Sequence, residues 1–379
     1  MSTIIRTRSP FFIKTPAETD ATLGYFVIRI TIREGLINSA VPCSIPDVVF
    51  ILNKKPIGNE NSVSFDISEI VNDSLVQEFD GSPNPKYQSL WVDVQTNAST
   101  LAGAPIGSVT TTTYLAQEGF NKFKEGVNYT VQKTAMLTQN YLEYKKGGLV
   151  YLPINSEAVD QIAWRNNNSS IQVVTISDNG NSDQKIQYKT FNTFSQSVDE
   201  VIVTSETLGT VTIKLKEIEE CKYPVNKITF LNRWGALQDL YFFKKSTESL
   251  DTTRENYNAS IFKTKTISRK LVEEECEVTT NFNTYNIFEH SKKTFNANGV
   301  ESITLNSGYV SELNNSYFEE LMVSEYVWLT DLSDTLDASV VYPVNLKESS
   351  FNKKTGLNDG LINYTMNFEK SFSLINNIR

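Results

Sequence analysis

The sequence predicts a mainly β protein, built from β-sandwich or β-barrel domains with one flanking α-helix and extended arms. Three observations carry this. The chain has 379 residues with 21 Phe and 17 Tyr, set among abundant Asn, Thr and Ser, a mixture suited to strands joined by polar turns. Gly24–Arg33 alternates strictly: Phe26, Ile28, Ile30 and Ile32 are apolar, while Tyr25, Val27, Arg29 and Thr31 form the other face. Val225–Phe243 reads as a hairpin, with Ile228–Leu231 as one arm, Asn232-Arg233-Trp234-Gly235 as the turn and Ala236–Phe243 as the return. Gly235 is free to take the positive φ a tight turn needs. Both arms carry large apolar groups, which predicts a central position.

In chain order, Ile4–Ile13 opens the molecule and the alternating strand follows. Val48–Leu52, Val63–Phe65 and Tyr87–Val94 read as further strands, with Ser68 capping a short helix, SEIVNDSL. Residues 96–126 read as an extended loop, small and polar at first and then threonine-rich. Tyr129–Leu137, Tyr141–Tyr144 and Leu149–Ile154 are expected as strands. A domain boundary is placed here, giving an N-terminal sandwich-like domain of residues 1–155 and a second β-rich domain of 156–379. In the second domain, Ile162–Trp164, Ile171–Ile176, Lys185–Phe191, Val201–Thr204 and Val211–Leu215 precede the hairpin. Residues 244–270 read as a polar arm. One helix is expected at 309–323, with Val310, Leu313, Tyr317, Leu321 and Met322 as its apolar stripe, Phe318 at the margin, and Glu312, Glu319 and Glu320 elsewhere. Tyr326–Leu329, Ser339–Leu346 and Leu361–Phe372 complete the strands. In the last, Ile362, Tyr364, Met366 and Phe368 share one face.

Composition narrows the function classes. The net charge is −9, opposite in sign to the basic surface by which general nucleic-acid binders neutralise phosphates. Cys43, Cys221 and Cys276 are odd in number and far apart, so a disulfide scaffold or zinc site is not expected and the thiols read as reduced. No secretory leader and no membrane anchor is expected. His290 is the one histidine, and it reads as a turn residue, since neither HExxH nor any other catalytic signature accompanies it. The acidic run Glu273–Glu277 reads as a solvated face. The DNGNSD turn at 178–183 has Gly180 where a calcium ligand would stand. Asp331, Asp334 and Asp337 are three apart and could crowd one face of a turn, but spacing in sequence does not set the distance between carboxylates in space, and chance clusters are expected among 44 acidic residues. No cofactor is expected.

Three stretches carry a resemblance: ITFLNRWGALQDLYFFKKSTE, SGYVSELNNSYFEELMVSEYVWL and YPVNLKESSFNKKTGLNDGLINYTMNFEKSF. They resemble virion structural proteins of crAss-like tailed phages of Bacteroides-like hosts. The resemblance implies a non-enzymatic tail hub or connector protein of the virion, made in the host bacterial cytoplasm and partnered by copies of itself in a ring and by other tail proteins. DNA would pass it only non-specifically, since both surfaces are negative. The alternative reading is a receptor-binding or fibre-attachment protein contacting host-surface glycans; a glycan depolymerase ranks third. Arg233, Trp234, Tyr257 and Phe262 are the candidate subunit contacts, while the favoured alternative for Trp234 is a turn tryptophan folded back on the hairpin's own core.

Overall fold

The computed structural model describes residues 3–33, 48–58, 60–83, 88–176, 185–219, 222–270, 277–331, 340–354 and 361–375. It is mainly β, with several sheets and, among the described residues, two α-helices, Ser68–Asn72 and the longer Asn315–Met322. Three apolar cores lie along the chain rather than two.

The first core is built on a five-stranded sheet. Its order is Ile4–Arg6, Pro105–Gln117, Ser89–Thr100, Leu23–Arg33, Val48–Lys54. The alternation of Leu23–Arg33 holds as expected: Phe26, Ile28, Ile30 and Ile32 are buried while their neighbours in the strand are not. Residues 96–126 are not a loop. Pro105–Gln117 forms a long hairpin with Ser89–Thr100, because the threonine run has strand propensity and a partner of matching length. The short helix Ser68–Asn72 starts at Ser68 instead of being capped by it. Asp66 Oδ1 accepts from the Ser68 amide at 3.1 Å.

The second core runs from Ala135 to Leu215. It lies between a five-stranded sheet and the antiparallel pair Leu149–Asn155 and Ile186–Asn192. A boundary at 155/156 would therefore cut a strand from its partner. Tyr129–Leu137 is not a strand and makes only the bridge Ala135–Ile154. The carbonyls of Tyr129 and Val131 are taken instead by the Arg6 guanidinium, at 3.1 and 2.8 Å.

The third core belongs to a seven-stranded sheet. Its order is Leu237–Phe242, Asn226–Leu231, Val327–Asp331, Val340–Leu346, Thr365–Lys370, Lys292–Asn306, Thr247–Asn258. Helix Asn315–Met322 packs on its inner face, where Phe242 meets Phe318 and Phe368 edge-on at 6.1 and 5.8 Å. The helix begins at Asn315, after a 3-10 turn at Glu312–Asn314. That late start rotates its faces: Phe318 is fully buried rather than marginal, Leu313 is exposed, and Glu320 is buried. Ile362, Tyr364, Met366 and Phe368 are all buried, as their alternation predicts.

The hairpin Asn226–Leu231 with Leu237–Phe242 is the expected one, and it is central. One face enters the third core. The other packs Leu231 and Leu237 with Phe79 of the first unit and Tyr188 of the second. Leu237–Phe242 ends the sheet, yet its edge is covered, for the Leu237 amide donates to Tyr188 Oη at 2.8 Å.

Candidate functional site

Two features stand out: a buried anchor at the hairpin tip, and an arm leaving the same sheet. The tip is the turn Asn232–Gly235. Asn232 Oδ1 accepts from the amides of Trp234 and Ala236 at 2.9 and 3.2 Å, and Asn232 Nδ2 donates to the Met136 carbonyl at 2.7 Å. Gly235 has φ +79°, and a Cβ there would lie 2.1 Å from the Glu118 carbonyl oxygen. Only glycine allows both the dihedral and the approach. The turn thus lies backbone to backbone on residues 118–120, with the Phe120 amide donating to the Arg233 carbonyl at 3.0 Å.

Trp234 is 9% exposed and Arg233 7%. The guanidinium carbons of Arg6 and Arg233 each lie 4.6 Å from the Trp234 ring, and Lys133 Nζ lies 5.3 Å from it. Contacts of this kind contribute about 0.5–2 kcal/mol each when desolvated. Arg233 Nη2 donates to both carboxylate oxygens of Glu125 at 2.8 and 2.6 Å, and its backbone amide donates to Glu320 Oε2 at 3.1 Å. The same oxygen accepts from Thr138 Oγ1 at 2.5 Å.

Burial pushes the Arg6 guanidinium down to about 10, and the Arg233 charge adds to that. Burial also raises the Glu320 carboxyl and lowers Lys133. At Glu125 burial acts upward as the largest single influence, but the Arg233 hydrogen bond and charge outweigh it and hold the carboxyl below its ordinary value. Strand Ile4–Arg6, the 118–138 linker, the hairpin and the helix are thereby tied at one point.

The arm is a two-stranded ladder. Thr247–Asn258 pairs with Lys292–Thr304, with a bulge at Glu255/Asn256. The other edge of Lys292–Asn306 is held by Thr365–Lys370 only from Ser302 onward. Beyond that point the Leu374 amide donates to the Gly299 carbonyl at 2.7 Å and Asn298 Nδ2 donates to Ser373 Oγ at 3.0 Å; past Asn298 the ladder has no further sheet neighbour among the described residues and projects roughly 20 Å at about 3.3 Å per residue. A second ladder, Lys263–Lys270 with Glu277–Thr284, continues it. Every residue of Thr247–Asn258 is exposed. At the joint, Phe262 and Tyr285 meet edge-on at 6.0 Å, while Phe262 remains 71% exposed. Tyr257, Ile287, Phe288 and Phe295 are exposed beside them.

The four candidate contact residues therefore separate. Tyr257 and Phe262 lie exposed on the arm. Arg233 and Trp234 are buried, and their contacts are within the chain. Three cations together with Met136 and Ile186 already cover the indole, which leaves little of it to offer a neighbouring subunit. Arg6, Glu125, Lys133 and Glu320 carry no local signal in the sequence that marks them as partners of the turn. His290 is exposed at the arm's joint. Among the described residues no group of three His, Cys, Asp or Glu could hold a metal ion, and no helix is long and apolar enough to cross a membrane. The three cysteines, the DNGNSD turn, Glu273–Cys276, Asp334 and Asp337 lie outside the described residues.

No protein-family model matches the chain, and no curated protein matches it. Among solved structures, the crystal structure of CBD12 from CALX1.2 is similar at 12% identity, covering 53% of this chain and 76% of that one with a TM-score of 0.17. A likeness that faint carries no functional argument.

Proposed function

We propose that the chain is a non-enzymatic structural component of a tailed-phage virion, a tail hub or connector subunit that assembles with copies of itself into a ring. The observation that carries this is the arm: two ladders whose edges are free beyond Asn298, with an exposed aromatic joint, extending from a body tied at the hairpin tip. Past its base such a ladder adds little buried surface to its own chain, since none of the Thr247–Asn258 strand is buried. Its free strand edges and apolar joint acquire partners only when another chain covers them. An arm on one face docking to a different face of the next copy is a head-to-tail contact, the geometry that closes into rings. The net charge of −9 suits a conduit past which DNA slides without adhering.

The test is sedimentation and electron microscopy of the full chain beside a variant with residues 251–300 replaced by a short turn. The full chain is expected to form closed rings, and the shortened one to remain a folded monomer. A full chain that stays monomeric at high concentration and is missing from phage particles would overturn the proposal.

A further inference from the structure

The seven-stranded sheet curls, and its register fixes what faces the hollow. Partners across an antiparallel ladder point to the same side. Asn226 pairs with Phe242, Ile228 with Leu329, and Leu329 with Tyr342. Val344 pairs with Lys370, Ile303 with Phe368, Glu248 with Ile303, and Leu250 with Glu301. Phe242, Leu329, Val344 and Phe368 belong to the third core, so Asn226, Tyr342, Lys370, Glu301 and Glu248 share their inward side.

The helix fills part of that hollow. The rest is a cavity of about 420 Å³, lined among others by Asn226, Glu248, Glu301, Leu329, Tyr342 and Lys370. Asn226 stands in the second strand of the sheet order and Glu248 in the seventh. That both line one cavity shows how far the sheet has closed on itself. Concave clefts are the usual seats of small molecules, and the volume lies in the usual range of roughly 300–1,000 Å³.

Asn226 is 6% exposed, faces this cavity, and its side-chain amide has no hydrogen-bond partner among the described residues. Its amide therefore keeps a donor and an acceptor free for whatever enters the cavity. Glu248 has no ion-pair partner among the described residues either. Glu301 is paired with Lys370, whose Nζ lies 4.3 Å from the Tyr342 ring centroid.

We propose that this cavity binds a neutral polyhydroxylated ligand, a sugar. Two carboxylates against one ammonium disfavour an anion. The ring face where an organic cation would sit is already occupied by Lys370, which would also repel it. A purely apolar ligand would cover the Asn226 amide and the Glu248 carboxylate without pairing either. Sugar hydroxyls both donate and accept, so they match an amide, a free carboxylate and a carboxylate–ammonium pair at once, over the apolar floor of Leu329 and Ile303. The inference stands apart from the assembly reading, since a monomer would bind equally well.

The test is saturation-transfer NMR and calorimetry on the full chain. The probes are methyl α-D-glucopyranoside, methyl α-D-mannopyranoside and N-acetyl-D-glucosamine, with putrescine and inorganic phosphate as controls. At least one sugar is expected to bind with a dissociation constant of about 1 mM. Glu248→Gln and Asn226→Ala should each weaken it about tenfold, the loss of one hydrogen-bonding group. Glu248 is exposed, so its variant tests binding without putting the fold at risk. No sugar bound at about 50 mM, binding unchanged in both variants, or tighter binding of putrescine or phosphate would each overturn the proposal.

Discussion

Replacing Glu118 by Gln should stabilise the protein above about pH 4.5, most at neutral or alkaline pH. Glu118 is 1% exposed, and its Oε1 has no hydrogen-bond partner. It follows the 105–117 strand and lies under the hairpin turn, with its carbonyl against Gly235. Burial pushes its carboxyl from 4.5 up to about 7. Glu325 adds to the shift, while Gln77 and Arg8 oppose it. The sign follows from proton linkage. Below pH 4.5 both folded and unfolded chains hold the proton, and the group favours neither. Between 4.5 and about 7 the unfolded chain releases it while the folded chain keeps it, so stability falls as pH rises. Above about 7 both are ionised and the full penalty stands. At ~1.4 kcal/mol per pKa unit this amounts to about 3 kcal/mol. Glutamine keeps the shape and removes the charge. Urea denaturation of wild type and Glu118→Gln, followed by tryptophan fluorescence at pH 4.5, 6 and 8, reads the difference directly. The gap should be near zero at pH 4.5 and open to as much as about 3 kcal/mol in the variant's favour by pH 8. A gap independent of pH, or a variant weaker at pH 8, would refute the reasoning.

Gly235→Ala should lower stability by about 3 kcal/mol or more, since it adds backbone strain at φ +79° to a Cβ 2.1 Å from a carbonyl oxygen; an unchanged urea midpoint would contradict this. Glu125→Gln should cost about 2 kcal/mol at pH 7, intermediate between exposed and buried ion pairs. Because the folded Glu125 carboxyl is held low, the pair's contribution is present above the unfolded pKa and lost as pH falls through the folded one; the two denaturation curves should converge in acid. Trp234→Ala should cost about 3–5 kcal/mol and loosen the contact between the first unit and the hairpin, which limited proteolysis in the 118–138 linker would report. Phe262→Ser on the arm should leave the thermal midpoint within the change of about 0.5 kcal/mol typical of exposed sites while weakening self-association in sedimentation; a destabilised monomer would show that the arm folds back on its own body.

Local pattern was legible and long-range partnership was not. The faces of Leu23–Arg33 and of Ile362–Phe368 followed from alternation, because a strand with one buried side needs nothing beyond period two to declare it. The hairpin was legible because the turn glycine sits between two apolar runs. The threonines of Pro105–Gln117 declare no buried face, so their strand state depended on Ser89–Thr100 lying alongside. The helix faces differ from the expected ones because Phe318 and Glu320 both turn inward and Leu313 outward once the α-helical turns begin at Asn315, after the 3-10 turn at Glu312–Asn314. Of the candidate contacts, Tyr257 and Phe262 were found on an exposed arm, while Arg233 and Trp234 were not.

The sequence by itself determined the β class, the strand faces and the central hairpin, all of which rest on residues a few positions apart. Tertiary structure alone decided what the hairpin tip touches. Arg6, Glu125, Lys133 and Glu320 reach Arg233 and Trp234 across roughly 90 to 230 positions of chain, a separation over which no short-range pattern carries information. Each is a charged residue that reads as solvated until folding removes the water, and the indole, the carboxylate and the backbone amides then take its place.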